Sequence, residues 1–233
     1  MTEPLITVIT PTTGKKSLEK LMQSMDKQSI PWVHILLWDN KREDDYLYPN
    51  SELKVKSPYD VYAFNPDCTR YSIVVPYFFT QGNASGSALR AIGLMAANTQ
   101  YITFADTDVW YDPNHFELFI RAIEGKEWAY TVRRIWANQE ECIGEDRFES
   151  VGDDGKLPYK LVDNSSLLVK REFGASAACL YRKTKEYNDD RLMFAFLKKY
   201  AGIPGKTNVA TVNQICPEKL EQMFRQHCTP ILK

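Results

Sequence analysis

Short apolar runs alternate with helix-like stretches in the first half of the chain, and this alternation most limits its possible folds. Residues 5–10 (LITVIT) and 33–38 (VHILLW) are apolar, rich in β-branched side chains and too short for typical helices. Between them, apolar residues recur at helical spacing from Leu18 to Met25. A strand, a helix and a second strand in this order predict a parallel sheet with right-handed crossovers. The expected fold class is therefore α/β, with a mostly parallel central sheet flanked by helices.

Similar patterns predict the remaining elements. Pro11 is expected to end the first strand, and Asp112 to cap a helix that Pro113 opens. Residues 137–165 are charged and contain Asp154-Gly155, which is typical of a hairpin or loop. Further strands are predicted at 71–79, 101–105, 128–136, 167–169 and 177–181, and further helices at 87–98, 189–200 and 217–227. No repeat, low-complexity tract or linker interrupts the chain, so we expect one domain.

Charge and cysteine content exclude several protein classes. The 233 residues carry a formal net charge of -1 without a basic block, so the sequence does not indicate nucleic-acid binding. The 5 cysteines are scattered and form no CxxC pair, which argues against a disulfide framework or a zinc site and fits the cytoplasm. The N-terminus lacks the features of a signal peptide. No apolar run approaches the roughly 20 residues of a transmembrane helix, although peripheral membrane contact stays open.

Two carboxylates directly follow the apolar run 101–105, in the sequence Asp106-Thr107-Asp108. In open α/β sheets, ligands bind at the carboxyl ends of the strands. If the backbone here is extended, residues i and i+2 point the same way, so the two aspartates can share one divalent cation or divide between a cation and a ribose. Oxygen ligands suit Mg²⁺ or Mn²⁺ bridging to phosphates. The alternative is a solvated turn before a helix.

Other polar residues are expected at the same edge of the sheet. Asp39 closes the second strand and can accept hydrogen bonds from a nucleobase or ribose, or is an ordinary loop aspartate. The segment Pro11-Thr12-Thr13 follows the first strand and can contact the same groups. Arg90 lies on the helix after Asn83, where it can clamp a diphosphate or remain a surface arginine. Several strand ends that converge in this way favour a nucleotide site.

A pair of carboxylates opens the late helix. Asp189 and Asp190 can cap this helix, since negative charge is favourable near a helix N-terminus. One of them can also remove the proton from an acceptor hydroxyl, and the two roles are compatible. Glu145-Asp146 is a rival pair that is more typical of a charged loop.

This arrangement of residues resembles the family 2 glycosyltransferases of GT-A fold. The similarity covers residues 5–125 well, and the stretch 176–190 more loosely. It implies a UDP- or GDP-type sugar donor, Mn²⁺ or Mg²⁺, inversion at the anomeric carbon and a carbohydrate or glycolipid acceptor, as in polysaccharide biosynthesis. It also implies a nucleotide-binding half at about 1–110 and an acceptor-binding half at about 111–233.

By matching position, the resemblance implies roles for individual residues. Asp39 would bind the nucleoside, Asn83 would contact the donor, Asp106 and Asp108 would bind the donor and metal, and Asp190 would act as the base. The family often has Arg-Asn where this chain has Arg90-Ala91, and Glu-Asp where it has Asp189-Asp190. The choice of base between Asp189 and Asp190 therefore stays open.

Two other functions fit a similar sheet. A nucleotidyltransferase would need a glycine-rich loop with Arg and Lys after the first strand, and Thr12 to Lys16 supplies only one glycine. The segment Gly14-Lys15-Lys16-Ser17 also departs from the phosphate loop of NTPases. A non-catalytic module that binds a sugar or nucleotide is the second alternative. The carboxylates at 106, 108 and 189–190 argue weakly against it.

Overall fold

A computed structural model of the protein describes residues 3–13, 17–40, 62–63, 70–76, 86–138, 140–147, 161–181 and 189–231. Asn83, Cys68, the loop 14–16 and the predicted Asp154-Gly155 turn lie outside these ranges. The strands are β1 (Ile6–Thr12), β2 (Trp32–Asn40), β3 (Tyr62–Ala63), β4 (Arg70–Pro76), β5 (Tyr101–Phe104), β6 (Val109–Tyr111), β7 (Trp128–Tyr130), β8 (Arg133–Trp136), β9 (Cys142–Glu145), β10 (Leu167–Lys170), β11 (Gly205–Lys206) and β12 (Val212–Ile215).

Helices cover both faces of the larger sheet. They are α1 (Leu18–Met25), α2 (Ser87–Ala96), α3 (His115–Ile123), α4 (Arg171–Ala177), α5 (Asp189–Tyr200) and α6 (Glu221–His227), with 3₁₀ segments at Asn164–Ser166, Ala178–Leu180 and Glu218–Leu220. In the described part of the chain, no helix is long and apolar enough to cross a membrane.

The larger sheet has eight strands in the order β11-β7-β10-β5-β1-β2-β4-β3. β1 pairs in parallel with β2 and β5, and β2 pairs in parallel with β4. β10 pairs antiparallel with both of its neighbours, β5 and β7, and β3 pairs antiparallel with its one neighbour, β4. The predicted α/β class with a mostly parallel central sheet is therefore confirmed.

Alternating side chains of β1 build the cores on the two faces of this sheet. Ile6 and Val8 pack with apolar residues of α1 and α3, whereas Ile9 packs with those of α2 and α5. This alternation is the two-residue period of a strand buried on both faces.

The prediction that Pro11 ends the first strand is wrong, since β1 continues to Thr12. In a parallel strand, Ile9 and Pro11 direct their backbone polar groups to the same side. The carbonyl of Ile9 accepts from the backbone N–H of Ala105, so that side faces β5. β5 has ended at Phe104, and a proline N without hydrogen therefore costs no ladder hydrogen bond at position 11.

The single strand predicted at 128–136 is two strands in two different sheets. β7 belongs to the larger sheet, whereas β8 belongs to a four-stranded sheet in the order β6-β12-β8-β9. The chain changes sheets at Thr131, whose backbone N–H donates to Ser166 and whose hydroxyl donates to the carbonyl of Val209 at 3.1 Å. Hydrophobic pattern alone could not locate this change, because the residues on both sides of it are buried.

Two local predictions also need correction. The strand predicted at 177–181 is instead the end of α4 and a 3₁₀ segment, which agrees with the helix preference of its alanines. The helix predicted from Asp112 begins at His115. The Asp112 carboxylate does not cap it, because it pairs with Arg134 at 2.9 Å and accepts from Asn213 at 3.0 Å.

Replacement of Gly205 by alanine is expected to lower stability strongly. A Cβ atom there would lie 1.7 Å from the carbonyl oxygen of Ala122, a backbone atom at the end of α3. We expect Gly205→Ala to lower the free energy of unfolding by about 3 kcal/mol, as in other overpacked sites. Gly174→Ala is the control, because the atoms nearest to its Cβ would be side-chain carbons and not backbone, with Cδ1 of Ile102 at 2.9 Å and Cδ2 of Leu94 at 3.3 Å. Urea unfolding of both variants checks this ranking, and equal losses would contradict it.

Candidate active site

Three parallel strands end at one edge of the larger sheet. Thr12 of β1 pairs with Trp38 of β2, and Ile9 of β1 pairs with Phe104 of β5. This register puts Asp39 and Asp106 at the same edge, with β1 between their two strands. Asp39 is half-buried there.

The end of β1 forms the middle of this edge. The Thr12 side chain is buried, Pro11 is half-buried and Thr13 is exposed. Gly86, in the left-handed region at φ 73°, lies so close that a Cβ atom on it would approach Pro11 to 2.8 Å. The beginning of α2 therefore packs tightly against the end of β1.

An ion pair between Arg90 and Asp106 joins α2 to the end of β5. The Nη2 atom of Arg90 lies 2.5 Å from Oδ1 of Asp106. The Arg90 side chain is 5% exposed and that of Asp106 is 35% exposed. Arg90 is therefore not a surface arginine, and one side of the Asp106 carboxylate stays open to solvent or ligand.

Asp106 and Asp108 form an Asp-x-Asp (DxD) sequence that lies on a turn, so the expected extended geometry is wrong. The backbone N–H of Val109 donates to the carbonyl of Asp106 at 3.2 Å, which closes a four-residue turn. The carbonyl of Asp108 accepts from Ile215 of β12 at 3.1 Å, and its side chain is half-buried. This turn therefore connects the two sheets, and β12 of the smaller sheet holds the backbone of Asp108.

Asp190 lies in the first turn of α5 and is half-buried. Burial raises the pKa of Asp190 well above its ordinary value, and the carboxylate of Asp163 raises it further. Arg90 opposes this shift, Asp106 adds to it, and Arg133 opposes it. These four side chains therefore lie near enough to Asp190 to influence its charge. The side chain of Asp189 lies outside the described part of the structure.

Asp163 is a site residue that the sequence analysis missed. Its Oδ1 accepts from the backbone N–H of Ser165 at 2.9 Å, and its Oδ2 lies 2.9 Å from Nη1 of Arg133. The hydroxyl of Ser165 in turn accepts from the backbone N–H of Asp106 at 3.2 Å. Through Ser165, Asp163 therefore helps to hold the DxD turn in place. The sequence signal for this residue was its position between two apolar runs, 161–162 and 167–169.

Arg133 carries the charge that balances this part of the site. Its side chain is 2% exposed and pairs with Asp146 at 2.8 Å as well as with Asp163. The Asp146 side chain is 0% exposed, so Asp146 is a buried partner of Arg133 and not part of a charged surface loop. The arginine also donates to Gln214 of β12. This network joins the smaller sheet to the candidate site.

His115 and Tyr111 form part of the core and not of the site. The imidazole of His115 is fully buried, stacks on Tyr111 at 4.2 Å between ring centroids and bonds to the hydroxyl of Thr211. Burial lowers the pKa of His115 to about 3, so this ring is neutral at physiological pH.

The edge where these parallel strands end therefore carries several carboxylates, with the buried guanidinium groups of Arg90 and Arg133 nearby. Within the described ranges, no group of three His, Cys, Asp or Glu side chains is arranged to hold a metal ion by itself. A cation held by Asp108 or Asp106 can take further ligand atoms from a bound phosphate. Such sharing is usual for Mg²⁺, which protein sites commonly bind through one or two carboxylates plus substrate phosphates.

Comparison with known proteins gives a family match. The family model described as Glycosyl transferase family 2 matches residues 7–184 of the chain. A search of curated proteins finds no match.

Solved structures share the fold at low sequence identity. The structure of S. aureus TarS 1-349 is 13% identical with a TM-score of 0.65, and the match covers 91% of this chain and 60% of that one. The same protein in complex with UDP-GlcNAc is 15% identical with a TM-score of 0.62, covering 92% and 59%. The present chain thus spans about 60% of the length of these structures.

A second kind of structure also matches. The 4-diphosphocytidyl-2C-methyl-D-erythritolsynthase from Anaerococcus prevotii is 14% identical with a TM-score of 0.52, covering 89% of this chain and 87% of that one. At these identities the likeness concerns the fold alone, and the fold is therefore shared by more than one class of enzyme.

Proposed function

This chain belongs to glycosyl transferase family 2, and we propose that it transfers a sugar from a nucleoside diphosphate donor to an acceptor hydroxyl, with inversion, at the edge that carries Asp106 and Asp190. The observation that carries the proposal is the Arg90–Asp106 ion pair at the carboxyl ends of parallel strands, whose two charges both influence the pKa of Asp190. Ligands of open α/β sheets bind at this edge. The UDP-GlcNAc complex of TarS, a protein of the same fold, supports a nucleotide-sugar donor.

The donor is proposed to lie across the ends of β2, β1 and β5. Asp39 would accept hydrogen bonds from the base or ribose, and the segment Pro11-Thr12-Thr13 would contact the same nucleoside, with Asn83 as a further predicted contact. Arg90 would hold Asp106 and place positive charge near the diphosphate. This part of the chain would be the nucleotide-binding half, and residues after about 110 would contribute most of the acceptor side.

A divalent cation fits the residues present. Asp108 supplies a half-buried carboxylate on a turn that is fixed by two backbone hydrogen bonds, and Asp106 has a partly exposed carboxylate. Carboxylate oxygens are ligands that Mg²⁺ and Mn²⁺ accept, together with phosphate oxygens. When bound, such an ion would stabilise the negative charge that develops on the leaving diphosphate. We propose that Asp108 and Asp106 hold it.

Asp190 is proposed to act on the acceptor. In an inverting transfer, the acceptor oxygen forms a bond to the anomeric carbon while the bond from that carbon to the diphosphate oxygen breaks. The proton of the acceptor hydroxyl would pass to the carboxylate of Asp190. A raised pKa of this group favours proton uptake, and it also requires a pH high enough to keep the carboxylate ionised at the start.

Slow hydrolysis of the donor tests the proposed activity. Transferases commonly pass some sugar to water, whereas a binding module leaves the donor intact. We expect the protein to release nucleoside diphosphate from one class of nucleotide sugar, in the presence of Mn²⁺ or Mg²⁺. A nucleotidyltransferase, which shares the fold, would instead release pyrophosphate from a nucleoside triphosphate and a sugar phosphate.

Asp108→Ala is expected to remove the metal dependence of donor hydrolysis. The side chain is half-buried at the surface of a turn whose backbone bonds do not need it, so the variant should fold normally. We expect the rate with Mn²⁺ to fall by about 100-fold or more, because a lost charge-stabilising group costs that much in other enzymes. A well-folded Asp108→Ala protein with full metal-dependent activity would rule out this aspartate as the ligand.

A further inference from the structure

The edge of the larger sheet at β11 carries a surface that the proposed reaction does not use. It consists of Lys198, Lys199 and Tyr200 at the end of α5, Ile203 in the following turn, and Lys206 of β11. Ile203 is 80% exposed and Tyr200 is 58% exposed, so both are among the most exposed large apolar side chains of the described residues. We call these five residues the β11 edge surface.

The turn that presents Ile203 is held firmly. The indole N–H of Trp128 donates to the carbonyl of Gly202 at 2.9 Å, and Gly202 adopts the left-handed region at φ 70°. Gly205 lies directly against the backbone of Ala122. Ile203 therefore lies between two residues whose backbone contacts neighbouring elements, and its side chain is exposed.

The segment that carries this surface has charge of one sign along the sequence. From residue 191 to residue 217 the sequence contains four basic residues and no acidic one, in a chain whose net charge is -1. Within the described residues, Lys199 and Lys206 make no ion pair. Their ammonium groups lie beside the rings of Tyr200, at 5.0 Å, and Tyr130, at 5.6 Å. Such lysines are free to contact anionic groups while their stems cover apolar surface.

We propose that the β11 edge surface docks on an anionic phospholipid bilayer, with Ile203 and Tyr200 among the headgroups and the lysines on lipid phosphates. Exposed apolar side chains combined with basic residues are typical of peripheral membrane contact. Lysine is depleted in protein interfaces, which disfavours a protein partner. A second copy of this chain placed on the same surface would bring like charges together.

Co-sedimentation with vesicles tests the proposal, using the full chain without donor or acceptor. The wild-type protein should bind phosphatidylcholine vesicles that contain phosphatidylglycerol, bind pure phosphatidylcholine vesicles much more weakly, and detach at high salt. Lys199→Glu combined with Lys206→Glu should lower the partition constant by about 25-fold or more. Ile203→Ser should lower it by about tenfold through lost apolar contact.

Two variants outside the surface serve as matched controls. Met95→Ser removes another exposed apolar side chain, 71% exposed, and Lys219→Glu reverses another exposed lysine. Both should bind vesicles like the wild type. Equal binding to neutral and anionic vesicles, equal losses in the controls, or a dimer that Ile203→Ser dissociates would overturn the proposal. Donor hydrolysis is measured separately, so failure of membrane binding leaves the proposed transferase activity untouched.

Discussion

Asp190→Asn is expected to lower the turnover of glycosyl transfer by about 10²- to 10⁴-fold, the usual contribution of a positioned general base. The amide cannot take the acceptor proton at neutral pH, yet it has almost the same shape. Binding of the donor should change little, because Asp39, Arg90 and the DxD turn are intact. Steady-state kinetics and a donor titration of the same preparation measure the two effects.

The same variant should be at least as stable as the wild type at neutral pH. Burial raises the pKa of Asp190 in the folded protein, so ionisation of this group opposes folding once the pH exceeds the unfolded value of about 3.9. This cost is absent at lower pH and grows as the pH rises through the folded pKa. The difference in unfolding free energy between Asp190→Asn and the wild type should therefore increase with pH over that range.

Two further variants test whether Asp190, and not another carboxylate, acts as the base. Glu172→Gln removes an exposed carboxylate from the first turn of α4 and should keep full turnover. Asp189→Asn separates the two candidates for the base. Unchanged turnover in Asp190→Asn with a large loss in Asp189→Asn would transfer the role to Asp189. Full turnover in both variants would contradict a carboxylate base at this helix.

Arg133→Met is expected to lower the free energy of unfolding at neutral pH by about 3–5 kcal/mol, the usual effect of breaking a buried ion pair. The substitution leaves Asp146 and Asp163 buried without their cation, and methionine fills a similar volume. Burial raises the pKa of Asp163 and Arg133 lowers it, so removal of Arg133 should raise this pKa further. The loss should therefore shrink between pH 7 and pH 5, as the Asp163 carboxylate takes up a proton. Urea unfolding at the two pH values measures it.

The neighbouring residue Arg134 provides the control for this prediction. Its ion pair with Asp112 is 22% and 27% exposed on the two side chains, so water and salt already weaken it. We expect Arg134→Met to cost about 1 kcal/mol, with little dependence on pH. Equal losses for the two arginines would show that burial of the Asp146 and Asp163 carboxylates does not determine the effect.

Sequence pattern predicted the elements whose burial repeats regularly. β1, β2 and β5 follow apolar runs buried on both faces, and α5 follows an apolar stripe that begins at Met193. The smaller sheet was not predicted, because its strands have only three or four residues and come from distant parts of the chain. Pairing of β12 with β6 and β8 depends on tertiary contacts that no local pattern records.

The candidate site shows the same limit. Asp39, Asp106 and Asp190 could be proposed because each lies at the end of an apolar strand or at the start of a helix. Asp163 could not, since its partner Arg133 lies far away in sequence and its role depends on the 3₁₀ segment beside it. The sequence likewise could not show that Arg90 is buried and paired.

Binding of nucleotide sugars is the most direct test of the central claim, that the edge carrying Asp39, Asp106 and Asp108 holds a donor. Thermal unfolding is measured with UDP-, GDP-, CDP- and TDP-sugars, each with and without Mn²⁺. We predict that one donor class raises the unfolding temperature of the wild type only when Mn²⁺ is present, and that Asp108→Ala loses this shift. No shift with any nucleotide sugar, or the same shift in Asp108→Ala, would contradict the proposed site.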